Sequence, residues 1–229
     1  MENLYYSNII YLVSFLITLI AQIFVSSSYS RYKKILNSKD NTGYDTARKI
    51  LDKNNLEDVM ILETKGNLTD HYDPKRKVIK LSTDIYHGSS IASAAVAAHE
   101  CGHAIQDKNK YIPMRIRSAI VPFVNICTRL GYLAILIGLI FNRAPLLEAG
   151  IILLLAMLVF QLITLPVEFN ASKRALNELE KEKILNKEEK GNARNMLVAA
   201  AFTYVASVLS TLLQIFRLVL ISSSSDRRR

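Results

Sequence analysis

Long apolar stretches constrain this chain more than any other feature of its sequence. Four of them occur, at Ile9–Val25, Ile120–Phe141, Leu146–Val167 and Met196–Ile221, the last interrupted by Arg217. Each has the length of about 17–25 residues that a helix needs to cross the hydrocarbon core of a bilayer. Because a backbone in lipid must satisfy its own hydrogen bonds, such segments fold as helices. The sequence therefore predicts a mainly α membrane protein with about four transmembrane helices.

The first apolar stretch is typical of an uncleaved membrane anchor. No charged residue lies between Glu2 and Arg31. A signal peptide has a basic start and a small-residue cleavage site, whereas this chain starts with Met-Glu-Asn and turns basic only after the stretch. We therefore expect residues 1–30 to form an N-terminal transmembrane anchor.

Composition divides the rest of the chain into five segments. They are a long polar segment at 31–118, an apolar hairpin at 119–167, a charged helix at 168–195, a fourth membrane segment at 196–221 and a polar tail at 222–229 that is expected to be disordered. Within the polar segment, short strands are predicted at Val59–Thr64 and Val78–Leu81. They precede an Ala-rich helix from Ile91 to Gln106 with Ser89-Ser90 as its N-cap.

The number and positions of the basic residues bear on the partners and location of the protein. The net charge is +9, but the basic residues lie beside apolar segments and no run interleaves Arg with aromatics. This pattern favours an anionic bilayer as partner and argues against nucleic acid. The basic residues after the first apolar stretch and before the second predict that 31–118 is cytoplasmic in a multi-pass protein of the cell membrane. The basic tail then lies outside, which leaves open whether 196–221 crosses fully.

The motif His-Glu-Cys-Gly-His at 99–103 points to metal chemistry. On a helix, residues four apart differ by about 40° around the axis, so His99 and His103 share a face and can bind one Zn²⁺ ion. Glu100 at the edge of that face is placed to take a proton from an activated water. Cys101 lies about 200° from His99 and is expected to pack in the core.

A catalytic zinc site needs a third protein ligand and an open position for water. Glu168 is the best candidate. Two apolar stretches separate it from His103, and an even number of crossings returns the chain to the same face of the membrane. The alternative is an interfacial carboxylate that caps the start of a helix.

Two segments carry a resemblance to a known family. Residues 66–106 (GNLTDHYDPKRKVIKLSTDIYHGSSIASAAVAAHECGHAIQ) and 165–176 (LPVEFNASKRAL) resemble the YugP-like neutral zinc metallopeptidases of bacterial membranes. More distantly they resemble zinc proteases of the HtpX and CAAX prenyl protease type. The resemblance implies a zincin-like α+β catalytic part, built from a small β-hairpin and the active-site helix.

The resemblance also implies roles for individual residues. It implies zinc as the cofactor, His99, His103 and Glu168 as its ligands, and Glu100 as general base. The distant relatives carry Asp four positions after the ligand Glu, where this chain has Ser172. The residue that supports a ligand histidine from behind is therefore left open.

His71 and Tyr72 precede the Ala-rich helix and are candidates for a further catalytic role. Zinc peptidases need a donor that stabilises the tetrahedral oxyanion, and either side chain is suited to it. The alternative is that both belong to the turn around Asp73-Pro74.

These features predict a membrane-anchored zinc metalloendopeptidase that acts on membrane or membrane-proximal polypeptides, with quality control as an analogy. An intramembrane protease of the site-2 type would carry a second ligand motif with Asp-Gly, and no such pair occurs in the sequence. A non-proteolytic membrane scaffold with a structural zinc site is the alternative from another class, and an intact Glu100 argues against it. The oligomeric state stays open.

Overall fold

The computed structural model describes residues 2–141 and 143–226. In chain order the elements are α1 (Glu2–Tyr32), α2 (Gly43–Lys53), β1 (Met60–Thr64), β2 (His71–Asp73), β3 (Val78–Ser82), α3 (Thr83–His87), α4 (Ile91–Lys108), α5 (Ile112–Ile140), α6 (Ala144–Lys181) and α7 (Lys187–Asp226). Four of these helices, α1, α5, α6 and α7, are long and apolar enough to cross a membrane. The prediction of a mainly α membrane protein with about four such helices is confirmed.

The helix boundaries differ from the expected segments in one respect. A charged helix was expected to begin at Glu168, but α6 continues through Pro166 to Lys181. The break comes instead at 182–186, because Asn186 starts α7 with a reciprocal cap. Its Oδ1 accepts from the Glu189 N–H at 2.9 Å, and the Glu189 carboxylate accepts from the Asn186 N–H at 2.8 Å.

The C-terminal tail also differs from the expectation of disorder. Helix α7 continues through the serines of the tail to Asp226. Residues 227–229, which belong to the same expected tail, lie outside the described residues. So does Asn142 in the link between the second and third apolar stretches.

Contacts within the chain define two units. The membrane unit comprises Met1–Gln22, Ile116–Leu165 and Thr203–Arg229, and the sheet unit comprises Ile23–Arg115 and Pro166–Phe202. In the membrane unit, a small apolar cluster forms around Ile135, Leu147, Ile151, Leu154 and Leu218. In the sheet unit, a larger core joins α2, α4 and the strands.

A three-stranded sheet shapes the sheet unit. The strand order is β1-β3-β2, with β3 parallel to β1 and antiparallel to β2. The central strand β3 buries Ile79 and Leu81 completely. Helix α2, capped by Thr42 and Asp45, adds Ile50 and Leu51 to the same core. This core supports α4, which carries the histidines.

Helix α4 is almost entirely buried, because its Ala-rich sequence lets neighbouring backbone approach closely. It begins at Ser90, whose Oγ accepts from the Ser93 N–H at 3.0 Å. Gly102 faces α6, where a Cβ at this position would lie 2.6 Å from the carbonyl oxygen of Ala171. Only glycine permits this separation, and the close approach positions α6 against the histidine face of α4.

Candidate metal centre

His99 and His103 lie on one face of α4, as the helical spacing predicts. Their ring centroids are 4.8 Å apart and the ring planes are almost perpendicular. His103 is buried and His99 is half-buried. Two imidazoles therefore meet at a site that is largely shielded from solvent.

Glu168 on α6 joins the two histidines. Its Oε2 lies 3.3 Å from His99 Nε2 and 3.6 Å from His103 Nε2. One ligand atom from each of the three residues lies within 4.8 Å of the others. The Glu168 side chain is only 3 % exposed. Glu168, the candidate for the third ligand in the sequence, is therefore a residue that the structure brings to the histidines.

Gln106 fixes the position of α6 at this point. Its amide nitrogen donates to the carbonyl oxygen of Val167 at 2.8 Å and to Asn170 Oδ1 at 3.0 Å. The side chain is fully buried. Because Val167 and Asn170 flank Glu168, these two hydrogen bonds hold the segment that presents the carboxylate.

The same amide also determines the tautomer of His103. Since the nitrogen of Gln106 faces two acceptors, its Oε1 must face His103 Nδ1, at 3.0 Å, and accept a hydrogen bond from it. When the ring is neutral, this proton on Nδ1 leaves the lone pair on Nε2, the atom that lies nearest Glu168. Ser172 Oγ lies 3.2 Å from His99 Nδ1, a contact in which the hydroxyl can either donate or accept.

These outer contacts settle a question that the sequence left open. Ser172, which stands where distant relatives have Asp, contacts His99. Gln106 contacts His103 and was not singled out from the sequence. Its one signal was its place three residues after His103, on the same side of the helix.

The electrostatics of the cluster favour a bound cation. Burial tends to raise the pKa of Glu168, but hydrogen bonds and charge from His103 and His99 hold it well below its ordinary value. Burial tends to lower the pKa of His103, but Glu168 and Glu100 together raise it. The buried site therefore contains an ionised carboxylate and holds positive charge favourably.

The donor set and its dimensions fit a tetrahedral metal ion. Ligands at about 2.0–2.2 Å from a tetrahedral zinc ion lie roughly 3.4 Å from one another. The two Nε2–Oε2 distances of 3.3 and 3.6 Å match this spacing. Two imidazole nitrogens and one carboxylate oxygen form a set typical of catalytic zinc sites, which keep a fourth position open.

Glu100 and Cys101 occupy different surroundings on α4. Glu100 is only 7 % exposed and contributes to the charge that His103 experiences. Cys101 lies on the other side of the helix, where its thiol contacts the carbonyl oxygen of Ala47 at 3.6 Å. Complete burial raises the pKa of this thiol. As expected, Cys101 packs in the core.

His71 and Tyr72 lie on β2 and are not part of the three-residue cluster. The Tyr72 hydroxyl donates to Asp107, one turn beyond His103, at 2.9 Å. Burial and the Asp107 carboxylate raise the Tyr72 pKa, so the hydroxyl keeps its proton. His71 is exposed, with Nδ1 2.8 Å from the carbonyl oxygen of Thr69. A catalytic role for either residue stays a prediction.

Comparisons with known proteins give matches over most of the chain. A family model described as "putative neutral zinc metallopeptidase" matches residues 7–223. The chain is 44 % identical over 201 residues to the "putative membrane protease YugP" of Bacillus subtilis (strain 168), an alignment that covers 88 % of this chain and 89 % of that protein. No solved structure matches significantly. The chain belongs to the neutral zinc metallopeptidase family described by that model.

Proposed function

We propose that this protein is a membrane-anchored zinc metalloendopeptidase that hydrolyses peptide bonds of membrane or membrane-proximal proteins. The observation that carries the proposal is the buried cluster of His99, His103 and Glu168, with Glu100 next to the first ligand on the same helix. The family and the name of the Bacillus relative support the reaction class.

In this proposal the three clustered side chains hold zinc, and each has a distinct structural support. His103 offers Nε2 because Gln106 holds the proton on Nδ1. His99 offers Nε2 with Ser172 behind it. Glu168 is ionised and held by the contacts on either side of it. Zinc in such a site polarises a peptide carbonyl and lowers the pKa of water to about 7.

Glu100 acts as the general base in this mechanism. Its carboxylate accepts a proton from the attacking water and delivers it to the amine that leaves when the peptide bond breaks. Burial shields this transfer from bulk solvent and strengthens the interaction of the carboxylate with nearby positive charge. Glu100 alone supplies this proton transfer, and it is adjacent in sequence to His99, the first proposed ligand.

Stabilisation of the oxyanion falls to His71 or Tyr72 in the proposal. The Tyr72 hydroxyl keeps its proton and donates a hydrogen bond to Asp107. It can therefore donate to an oxyanion only after the hydrogen bond to Asp107 breaks. His71 has an exposed ring at the edge of the sheet, since β2 pairs only with β3. Substrate binding would have to order this ring before it could donate.

The location and substrates follow from the long helices. Basic residues flank the polar segment 31–118, which supports a cytoplasmic catalytic region. Helices α5 and α6 lead from the polar segment directly into membrane-spanning sequence. Membrane or membrane-proximal polypeptides are therefore the proposed substrates, and quality control is an analogy at the level of the family alone.

The alternative is a membrane scaffold with a structural zinc site. Structural sites are usually closed by four protein ligands. Among the described residues, the metal-ligand cluster contains three. A three-residue set with an adjacent buried carboxylate favours catalysis.

The decisive experiment compares the purified wild-type protein with Glu100→Gln in detergent, using casein as substrate. We expect proteolysis to fall by about 10²–10⁴-fold, the usual contribution of a general base, while zinc content is unchanged. Glu57→Gln is the control, because it removes the same charge from an exposed position of the sheet unit. Equal casein cleavage by wild type and Glu100→Gln contradicts the proposal.

A further inference from the structure

Helix α7 carries a row of polar side chains inside its apolar stretch. The row consists of Ser207, Ser210, Thr211, Gln214 and Arg217. Because the spacing is three and four residues, these side chains share one face of the helix. Polar and charged side chains within a membrane segment are costly and usually mark a functional surface.

A matching row on α1 faces them within the membrane unit. Arg217 Nε donates to Ser7 Oγ at 3.1 Å, and Thr18 Oγ1 donates to Ser210 Oγ at 3.4 Å. Between these contacts the Gln214 amide donates to the hydroxyl of Ser14. The two helices therefore run antiparallel, joined by hydrogen bonds along the polar faces.

The charge of Arg217 is not neutralised by these contacts. Besides Ser7, its guanidinium group contacts Gln214 Oε1 at 3.5 Å and lies 4.9 Å from the ring centroid of Tyr11. All three partners are uncharged. Across the described part of the chain, no carboxylate pairs with Arg217. Among the side chains that the structure describes, the guanidinium group is thus a half-buried cation with remaining N–H donors and no carboxylate partner.

Arg217 lines a cavity of about 440 Å³ that lies entirely within the membrane unit. The polar row of α7 forms one wall of this cavity. The lining from α5 and α6 is mainly apolar, through Ile135, Leu139, Leu154 and Met157, and also includes Tyr132 and Gln161. A cavity of this size accommodates a small amphiphilic molecule.

The position of Arg217 along α7 indicates which amphiphile fits. It lies five residues before Ser222, where the polar tail begins, which is about 7 Å along the helix axis. Ser207, at the other end of the row, is about 15 Å further from the tail than Arg217. The cation therefore lies near the depth of lipid head groups, and the cavity extends from it toward the hydrocarbon core.

We propose that this cavity is a phospholipid site, in which Arg217 binds the head-group phosphate and one acyl chain lies along the apolar wall. Arginine is suited to phosphate because its planar guanidinium group can donate two parallel hydrogen bonds. The lipid phosphate supplies a counter-charge that none of the described side chains in contact with Arg217 carries. The proposal is independent of the peptidase reaction.

The test uses the full-length protein in detergent, titrated with phosphatidylglycerol and analysed by native mass spectrometry. We expect Arg217→Gln to weaken binding about ten-fold or more, because a charge-assisted hydrogen bond is lost. Arg217→Lys should retain part of the affinity. The matched control is Arg129→Gln, which removes an exposed arginine of α5 that does not line the cavity. Equal binding by Arg217→Gln and wild type, or an equal loss in both Gln variants, overturns the proposal.

Three further ligands test the contributions of the phosphate and of the acyl chain separately. Diacylglycerol has no phosphate, inorganic phosphate has no chain, and palmitate offers a carboxylate instead. We expect all three to bind more weakly than phosphatidylglycerol. Met157→Phe, which fills part of the apolar wall, should weaken phosphatidylglycerol binding without lowering the thermal unfolding midpoint. Binding of inorganic phosphate or palmitate as tight as that of phosphatidylglycerol, or unchanged binding by Met157→Phe, contradicts a phospholipid site.

Discussion

The two units of this protein differ in the partners that surround their buried or half-buried charged side chains. In the sheet unit the charged groups are arranged around one another, with Glu168 between two histidines and Glu100 nearby. In the membrane unit the described partners of Arg217 are all neutral. The first arrangement is complete once a cation is added, and the second once an anion is added. This contrast underlies the two proposals, a metal cation in the sheet unit and an anionic head group in the membrane unit.

Both units also use glycine where two helices must come close. Gly102 of α4 approaches the Ala171 carbonyl of α6, and a Cβ there would lie 2.6 Å from the oxygen. Gly150 of α6 approaches the Gly131 carbonyl of α5, where the corresponding distance is 2.8 Å. In the sheet unit this contact aligns a ligand, whereas in the membrane unit it packs the α5–α6 hairpin.

The largest expected effect distinguishes Glu168 from Glu148, an acidic residue of the same helix. Glu168→Ala removes a proposed ligand, so zinc affinity should fall by more than the roughly 100-fold that an outer-shell change costs. Glu148→Ala removes an exposed carboxylate of the same helix in the membrane unit and should leave zinc affinity unchanged. Zinc content by elemental analysis and competition with a chromogenic chelator provide the measurement. Undiminished zinc content in Glu168→Ala rules out its role as a ligand.

The next largest effect is expected when the glycines at the two close helix contacts are replaced. Gly102→Ala and Gly150→Ala each place a Cβ too close to a backbone carbonyl, and overpacking of this kind costs about 1–3 kcal/mol. Both variants should lower the thermal unfolding midpoint. Only Gly102→Ala should also weaken zinc binding, because only that contact aligns Glu168. If the two variants retain zinc equally well, the α4–α6 separation does not control the site.

Gln106 offers a smaller and more specific test. Gln106→Leu removes the acceptor for His103 Nδ1 and the donor to α6, so zinc affinity should fall about 10–100-fold. Gln106→Glu keeps the acceptor for His103 Nδ1, so its zinc affinity should be higher than that of Gln106→Leu. If Gln106 had only a structural role, the two variants would not differ in this way. Ser172→Ala should have a weaker effect, since its contact with His99 is longer, at 3.2 Å. A loss of thermal stability in Gln106→Leu with unchanged zinc affinity contradicts the positioning role.

The smallest effect concerns Cys101. In a Cys127→Ala background it is the only thiol, since the chain has two cysteines. Burial shields Cys101 and raises its pKa, so iodoacetamide should react with it only after denaturation. Cys101→Ala should retain proteolysis. Rapid alkylation of the native protein at neutral pH shows that Cys101 is accessible and not a core residue.

The sequence predicted the parts of this molecule that depend on local pattern. Apolar length alone indicated four membrane helices, and the four-residue spacing placed His99 and His103 on one face. Glu168 was the candidate third ligand because it begins the polar segment after the third apolar stretch, and an even number of crossings permits it to reach the histidines. These predictions needed no knowledge of how side chains pack.

Other features depend on tertiary contacts and could not be predicted in this way. The role of Gln106 arises from three simultaneous partners, two of them on α6. The continuity of α6 through Pro166 also opposed the expected boundary, since proline usually disrupts a helix interior. The parallel pairing of β1 with β3 likewise joins strands that are not consecutive. In each case a distant segment outweighs the local preference.

The position of Glu168 on α6 has a consequence for the order of synthesis. When the ribosome has added His103, it must add 65 more residues before the third proposed ligand, Glu168, has been incorporated. That interval contains α5 and the apolar part of α6. The nascent chain therefore holds an incomplete ligand set until the hairpin has been made. Under the proposed function, peptide hydrolysis by this chain therefore cannot begin before the α5–α6 hairpin has been synthesised.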